Sequence, residues 1–180
     1  MTHWIALAIE VIATFGAISS LIYYLISSRS SAQFHAEQIA ARSRAFSFMP
    51  PISILKPLKG TDPGMYESFR SHCLQDYPQY EILFGVSEAD DPALKLVEQL
   101  KTEFPEREIR VVYCERNLGA NTKVSSLAQM LPQALYEHLL VNDSDIRVET
   151  QYLKSVIAPL ADEKTGLVTC LYRGKASATL

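Results

Sequence analysis

Cysteine, excess positive charge and glycine-rich phosphate loops are all scarce or absent in this chain of 180 residues. Its three cysteines, Cys73, Cys114 and Cys170, form no Cys-x-x-Cys pair, which argues against a disulfide framework and a structural zinc site. Cys73 and Cys170 are expected in the core as small apolar residues. The 17 Lys and Arg residues are outnumbered by 20 Asp and Glu residues, so nucleic acid is not an expected partner. The Gly-x-Gly-x-x-Gly and P-loop patterns are missing, which excludes the usual dinucleotide and phosphate cradles.

The start of the chain is its most apolar part. Residues 4–26 contain four strongly polar side chains, at Glu10, Thr14, Ser19 and Ser20. A helix over this range is roughly 30 Å long, enough to cross the hydrocarbon core of a bilayer, so we predict a transmembrane helix. A cleaved signal peptide is the alternative, although no Lys or Arg precedes the run and the run exceeds the usual signal length. Glu10 must be protonated, reach the interface or pair with another helix, and the sequence leaves these three open.

The charges that flank the apolar run predict its orientation. Arg29, Arg42 and Arg44 follow the run, whereas residues 1–3 contain neither Lys nor Arg. The positive-inside rule therefore predicts a single-pass membrane protein whose remaining part lies in the cytoplasm. Residues 27–50 are rich in Ser and Ala, and we expect a juxtamembrane linker or an amphipathic helix that lies on the membrane surface.

The remaining part, residues 51–180, alternates short β-rich runs with helical patterns. This alternation predicts an α/β fold with an open, mostly parallel sheet and helices on both faces. Strands are predicted over Ile52–Leu55, Tyr80–Val86, Ile109–Tyr113, His138–Asn142 and Leu167–Leu171. Helix starts are predicted at Asp62-Pro63 and Asp91-Pro92, because an Asp N-cap before Pro is a typical start.

Apolar residues at helical spacing predict which side of each helix is buried. The predicted sets are Met65, Phe69 and Cys73; Leu94, Val97 and Leu100; Val124, Leu127, Ala128 and Leu131; and Leu153, Val156, Ile157 and Leu160. The third of these helices is expected to stop at Pro132.

Polar residues gather just after the predicted strands, where open α/β sheets bind their ligands. Asp143 and Asp145 follow the fourth strand, and two carboxylates one residue apart can hold Mg²⁺ or Mn²⁺ that bridges phosphates. A plain turn would use the same residues, but their position after a buried strand favours the metal site.

Three further residues after the strands are candidates for donor binding. Lys123 lies at a predicted helix start and would suit a diphosphate, although a solvated surface lysine is the alternative. Lys56 belongs to a rigid basic loop near the same edge, which could equally be a turn that faces the membrane. Asp91 is either a helix N-cap or an acceptor for a nucleoside, and the residues alone leave these readings even.

Four segments together resemble the ceramide glucosyltransferase family. They are Ile54-Leu55-Lys56-Pro57-Leu58-Lys59-Gly60, Asp76-Tyr77-Pro78, Asp90-Asp91-Pro92-Ala93 and Asp143-Ser144-Asp145-Ile146-Arg147-Val148. Their order and spacing match that family over nearly the whole chain. The segments Asn121–Ser125 and Gly166–Gly174 look closest to its bacterial branch, which is associated with hopanoid biosynthesis.

The resemblance implies a membrane-bound inverting glycosyltransferase with the GT-A fold, whose donor-binding part would be residues 51–180. Such an enzyme would move a hexose from a UDP-sugar to a lipid hydroxyl of the ceramide or hopanoid type. By position, Asp91 would contact the nucleoside, Lys123 the uridine or diphosphate, and Asp143 with Asp145 the diphosphate and a divalent metal, Mg²⁺ or Mn²⁺.

One part of the family pattern is missing. The family supplies a carboxylate base and a Gln/Arg-x-x-Arg-Trp motif further along, whereas the only tryptophan here is Trp4 in the apolar run. No catalytic residue is therefore assigned, and the chain is expected to be a truncated GT-A domain that lacks the acceptor half. The alternative from a different class is a catalytically inactive, membrane-tethered module that binds a nucleotide or a partner.

Overall fold

The computed structural model describes residues 2–44, 48–171 and 173–174. The chain divides into two compact units, residues 1–44 and 45–180. Residues 45–47 of the predicted linker, and residues 172 and 175–180 of the predicted domain, lie outside the described residues.

The first unit is one long helix, α1, over Thr2–Arg44. Within the described residues it is the one helix long and apolar enough to cross a membrane, over His3–Ala36 with a mean hydropathy of 2.1. Residues 27–44, for which the sequence leaves a linker or a helix open, continue α1. The limits of the membrane-crossing part at residues 4 and 26 stay a prediction.

The second unit is an α/β sheet of four parallel strands. The strands are β1 (Ile52–Pro57), β2 (Tyr80–Val86), β3 (Glu108–Tyr113) and β4 (His138–Val141), in the order β3-β2-β1-β4. The helices are α2 (Met65–Cys73), α3 (Ala93–Glu103), α4 (Thr122–Met130) and α5 (Tyr152–Ile157). Short 3-10 helices at Leu131–Gln133 and Ala158–Ala161 follow α4 and α5.

Helices cover both faces of the sheet, as predicted. Ile52 and Ile54 of β1 pack in the larger core with α2, α3 and α5, whereas Leu55 packs in a smaller core with Met130 of α4. The alternation follows from the strand period of two, which sends neighbouring side chains to opposite faces. Lys56 comes next on the larger-core face, and it is as fully buried as its apolar neighbours.

A buried carboxylate ties the starts of β1 and β4 together. Glu81 of β2 accepts hydrogen bonds from the Ser53 hydroxyl (2.6 Å) and the Leu135 amide (2.6 Å), and it pairs with Arg110 (2.6 Å). A buried charge is tolerated only when it is paired and hydrogen-bonded, which is the case here.

The predicted fifth strand is absent. Residues 167–171 have no regular secondary structure, and Leu167 and Leu171 are 81% and 82% exposed. An extended segment becomes a strand only when a neighbouring strand takes up its backbone groups, and the described residues provide no such neighbour. The same loss explains why Cys170, expected in the core, is exposed, whereas Cys73 is buried as predicted.

Two helices also differ from expectation. Helix α2 begins at Met65 after Gly64, whose φ of 79° favours glycine, so Asp62-Pro63 lies in the preceding turn. Helix α4 stops near Pro132 as predicted, but Val124 and Leu131 of its predicted buried side are exposed. Its buried residues are Ser125, Ser126, Gln129 and Met130. The apolar sides of α2, α3 and α5 are confirmed: Phe69, Val97 and Leu153 are buried.

The strand order creates one switch point. The chain runs outward from β1 through β2 to β3, and then returns to place β4 on the other side of β1. The connections that leave β1 and β4 therefore diverge at the carboxyl ends of these strands, which opens the crevice where such sheets bind ligands.

Candidate functional site

A cleft of about 300 Å³ lies at this switch point. It is lined by Pro57, Leu58, Lys59, Asp62, Ser87, Thr122, Lys123, Ser126, Asp143, Ser144 and Asp145. Three of the five predicted site residues, Lys123, Asp143 and Asp145, thus meet in one cleft. The other two, Lys56 and Asp91, are not among its lining residues.

Lys56 lies behind the cleft. Its buried ammonium donates to the main-chain carbonyl of Asp143 (2.8 Å) and lies 5.9 Å from the centre of the Phe69 ring. Burial lowers the pKa of Lys56 to about 7, against the opposing effect of the Asp143 and Asp145 carboxylates. Lys56 therefore fixes the backbone of Asp143, one of the two candidate metal ligands.

Lys123 enters the cleft from the first turn of α4. The Asn121 side chain caps this helix by accepting from the Val124 amide (3.1 Å), so the start of α4 has a defined direction. The Lys123 ammonium forms an ion pair with the Asp143 carboxylate. Both side chains are about half exposed, which leaves them accessible to a ligand in the cleft.

Asp91 connects two backbone segments beside the cleft. Its carboxylate accepts from the Gly60 amide (2.9 Å) and from the Ala93 amide at the start of α3 (2.9 Å). Gly60 has a φ of 66°, so the loop after β1 uses a conformation that favours glycine. Asp91 thus performs the capping role that the sequence left open, and its contact with a nucleoside stays a prediction.

Helix α2 and the turn that follows it hold the segment after β4, residues 142–151. The Ser68 hydroxyl donates to the Ile146 carbonyl, the Ser71 hydroxyl accepts from the Val148 amide (3.1 Å), and the Gln75 amide donates to the Glu149 carbonyl (2.8 Å). Ser68, Ser71 and Gln75 were missed by sequence reasoning. For Ser68 and Ser71 the signal was present as polar residues three apart on α2, beside its apolar side, whereas Gln75 lies beyond the end of the helix.

His72 is buried under the same segment. Its Nδ1 donates to the Ser68 carbonyl (2.9 Å), while the buried Asn142 amide donates to the Tyr152 hydroxyl (3.1 Å). Burial, with a further contribution from the charge of Lys56, lowers the pKa of His72 to about 3. The ring is therefore neutral near pH 7 and poorly suited to act as a general base.

Asp143 and Asp145 are the two carboxylates of the cleft that the sequence predicts as metal ligands, and Asp62 also lines the cleft. In the described part of the chain, no three His, Cys, Asp or Glu residues are grouped closely enough to hold a metal ion. Mg²⁺ commonly binds through one or two carboxylates and completes its shell with water and phosphate oxygens. Asp143 and Asp145 therefore fit a metal that arrives together with a diphosphate better than a metal alone.

Sequence comparison identifies the family. Residues 12–180 match glycosyl transferase family 21. The chain belongs to this family. This match, together with similarity to ceramide glucosyltransferases of Caenorhabditis elegans and Candida albicans, confirms the predicted resemblance, while the bacterial hopanoid branch stays a prediction.

Curated members are similar at moderate identity. This family 21 chain is 32% identical over 124 residues to ceramide glucosyltransferase 3 of Caenorhabditis elegans, which covers 68% of the chain and 27% of that relative. It is 28% identical over 121 residues to ceramide glucosyltransferase of Candida albicans, covering 61% and 22%. The chain thus spans about a quarter of the length of these relatives.

Solved structures confirm the GT-A fold. The mannosyltransferase PcManGT from Pyrobaculum calidifontis, in complex with GDP-Man and Mn²⁺, superposes with a TM-score of 0.62 at 21% identity, covering 80% of this chain and 45% of PcManGT. Residues 1–349 of S. aureus TarS, in complex with UDP-GlcNAc, give a TM-score of 0.50 at 27% identity, covering 63% and 31%.

Proposed function

We propose that this family 21 chain is the donor-binding part of a membrane-bound, inverting hexosyltransferase that moves a hexose from a UDP-sugar to a lipid hydroxyl of the ceramide or hopanoid type. The observation that carries the proposal is the meeting of Asp143, Asp145 and Lys123 in a cleft at the switch point of a GT-A sheet. The similarity to ceramide glucosyltransferases supports the acceptor class.

The charges of the cleft support a diphosphate ligand. Asp143 and Asp145 would hold Mg²⁺ or Mn²⁺, and this metal would neutralise the charge that develops on the departing diphosphate. Lys123, at the amino-terminal end of α4, would contact the diphosphate directly, where backbone N–H groups also favour an anion. UDP as the nucleotide is supported by the similarity to TarS, which binds UDP-GlcNAc.

Lys56 and Asp91 would serve the donor differently. Because Lys56 is buried against the Asp143 carbonyl, we assign it to positioning the metal ligand. Asp91 would contact the nucleoside, as the resemblance implies, while its carboxylate keeps the Gly60 loop beside α3. A general base for the acceptor hydroxyl is not assigned to any residue of this chain.

Isothermal titration of the full chain in detergent micelles with UDP, in the presence of Mn²⁺ or Mg²⁺, tests the proposal. We expect Asp143→Asn and Asp145→Asn each to weaken UDP binding about 100-fold, because losing a charged ligand of this kind costs about 3 kcal/mol. Asp162→Asn is the matched control. Asp162 is exposed after α5, where its side chain accepts from the Lys164 amide, so this variant should bind UDP like the parent chain.

The outcomes separate the proposal from its alternative. Absence of UDP binding with both metals would refute donor binding. Metal-dependent binding without any sugar transfer to ceramide or a hopanoid acceptor would favour the nucleotide-binding module. Transfer of the hexose by the purified chain would dismiss that module.

A further inference from the structure

One of the two carboxylates proposed to hold a metal already has a cation beside it. Lys123 at the start of α4 pairs with Asp143 in the segment after β4, and both residues line the cleft. Asp145, in the same cleft, has no ion pair among the described residues. Asp143, Asp145 and Lys123 together carry a single negative charge, which is a weak attraction for a divalent cation.

A metal ion and the Lys123 ammonium compete for the same oxygens of Asp143. If Lys123 stayed in place, a bound Mn²⁺ would lie within a few ångströms of another positive charge, and repulsion at that distance is substantial even at the edge of a protein. The paired side chains are both about half exposed, so the pair itself is weak and can open. To leave Asp143, the Lys123 ammonium needs another anion as its partner.

A diphosphate supplies that anion. It can accept the Lys123 ammonium at the start of α4 and at the same time offer oxygens to the metal that replaces the ammonium on Asp143. Lys59 lines the same cleft but forms no ion pair among the described residues. We therefore assign the transfer from Asp143 to the diphosphate to Lys123 and not to Lys59.

We infer that Lys123 is a resident counter-cation for Asp143, which makes the metal and the nucleoside diphosphate bind as a coupled pair. In the empty cleft Lys123 holds the carboxylate and disfavours metal alone. When the diphosphate arrives, Lys123 moves to it and Asp143 becomes available to the metal. This inference rests on the proposed function, since it assumes that a diphosphate enters the cleft.

Manganese binding in the absence and presence of UDP tests the inference. Free Mn²⁺ is measured by electron paramagnetic resonance in titrations of the full chain in micelles, for the parent, Lys123→Met and Lys59→Met. Lys123→Met should bind Mn²⁺ alone about tenfold more tightly, since both the competing pair and the repulsion are lost. Lys59→Met controls for the loss of one positive charge in the cleft and should change this affinity by less than about threefold.

UDP binding should change in the opposite direction. In the presence of Mn²⁺, Lys123→Met should bind UDP about tenfold more weakly, because the diphosphate loses its ammonium contact. By linkage, the factor by which UDP tightens Mn²⁺ binding must then fall in this variant. Lys123→Gln, which keeps a polar side chain, should behave like Lys123→Met.

Each result decides the matter. Unchanged or weaker binding of Mn²⁺ alone by Lys123→Met, or equal tightening by Lys59→Met, would overturn the resident counter-cation even if the parent chain binds UDP normally. Tighter Mn²⁺ binding by Lys123→Met in a chain that binds no UDP would instead overturn the coupling and the proposed function together, while the competition at Asp143 would stand.

Discussion

Complete burial of a lysine costs free energy unless its ammonium has a specific partner. Lys56 is fully buried and directs its ammonium to the main-chain carbonyl of Asp143. Replacing it with an apolar residue of similar length would remove a hydrogen bond and also the cost of burying a charge. These effects oppose each other in the free energy of unfolding. The Asp143 backbone nevertheless loses the hydrogen bond that holds it in position.

Lys56→Met should therefore affect binding more than stability. We expect the free energy of unfolding to change by less than about 2 kcal/mol, from the opposing effects of burial and hydrogen bonding. The dissociation constant of UDP in the presence of Mn²⁺ should rise about tenfold, since a metal ligand that loses its supporting contact typically costs this much. Chemical denaturation followed by circular dichroism and titration calorimetry measure the two quantities.

Lys95→Met is the control for this substitution. Lys95 is exposed on α3, outside the residues that line the cleft, so the variant should change neither stability nor UDP affinity. Normal UDP affinity in folded Lys56→Met would contradict the positioning role of Lys56.

At the scale of elements, strand β2 and helix α4 approach each other closely at Gly85 and Met130. A Cβ atom at Gly85 would lie 2.4 Å from the Met130 sulfur and 3.0 Å from its Cγ. Met130 is fully buried, so its side chain has little room to withdraw. Glycine at position 85 therefore permits the close approach of strand and helix.

Gly85→Ala should destabilise the second unit by about 1–3 kcal/mol, the usual cost of overpacking a core. Thermal unfolding monitored by circular dichroism would show this as a lower melting temperature. In a chain that already carries Met130→Ala, Gly85→Ala should cost less stability than it does in the parent chain, because the new methyl then enters vacated space. Gly119→Ala is the control, since a Cβ there meets nothing within 4 Å. Additive losses in the double variant would contradict a direct clash.

The elements that local pattern determines were predictable. The four strands of the sheet and the apolar sides of α2, α3 and α5 follow from period and turn residues, and the structure confirms them. Open α/β sheets bind ligands beyond the carboxyl ends of their strands, and this rule also led to Lys123 and Asp143, which the structure brings into one cleft. The burial of Lys56 depends on which face β1 presents to α2, and the role of Asp91 depends on a loop distant in sequence.

Helix α4 shows where local pattern fails. Its apolar stripe predicted burial of Val124 and Leu131, but the helix buries Ser125 and Gln129 instead. These two polar side chains hydrogen-bond with the Arg116 backbone, which lies in an irregular segment after β3. Backbone groups of such a segment must find partners, and that requirement outweighed the burial of two apolar side chains.

At the scale of the whole molecule, one chain joins an α/β unit with a polar cleft to an apolar helix. The proposed reaction needs both, since a nucleotide sugar is soluble in water whereas a lipid acceptor stays in the bilayer. Helix α1 supplies an apolar surface over His3–Ala36 that a membrane would cover. The three arginines after the apolar run predict that the cleft faces the cytoplasm, where positive flanks are retained.

Cys170 reports on this orientation, because it is exposed whereas Cys73 and Cys114 are buried. In sealed membrane vesicles, we expect a membrane-impermeant maleimide to label Cys170 when the cytoplasmic face is outward, and only after detergent when it is inward. Partial desolvation raises the pKa of this thiol, so labelling should be faster at higher pH, and Cys170→Ser is the control for background. The opposite labelling pattern would contradict the cytoplasmic orientation.

Release of an unlabelled, soluble chain with a shortened amino terminus would show that the apolar run is a cleaved signal peptide, because an uncleaved anchor of this length holds the chain in the membrane.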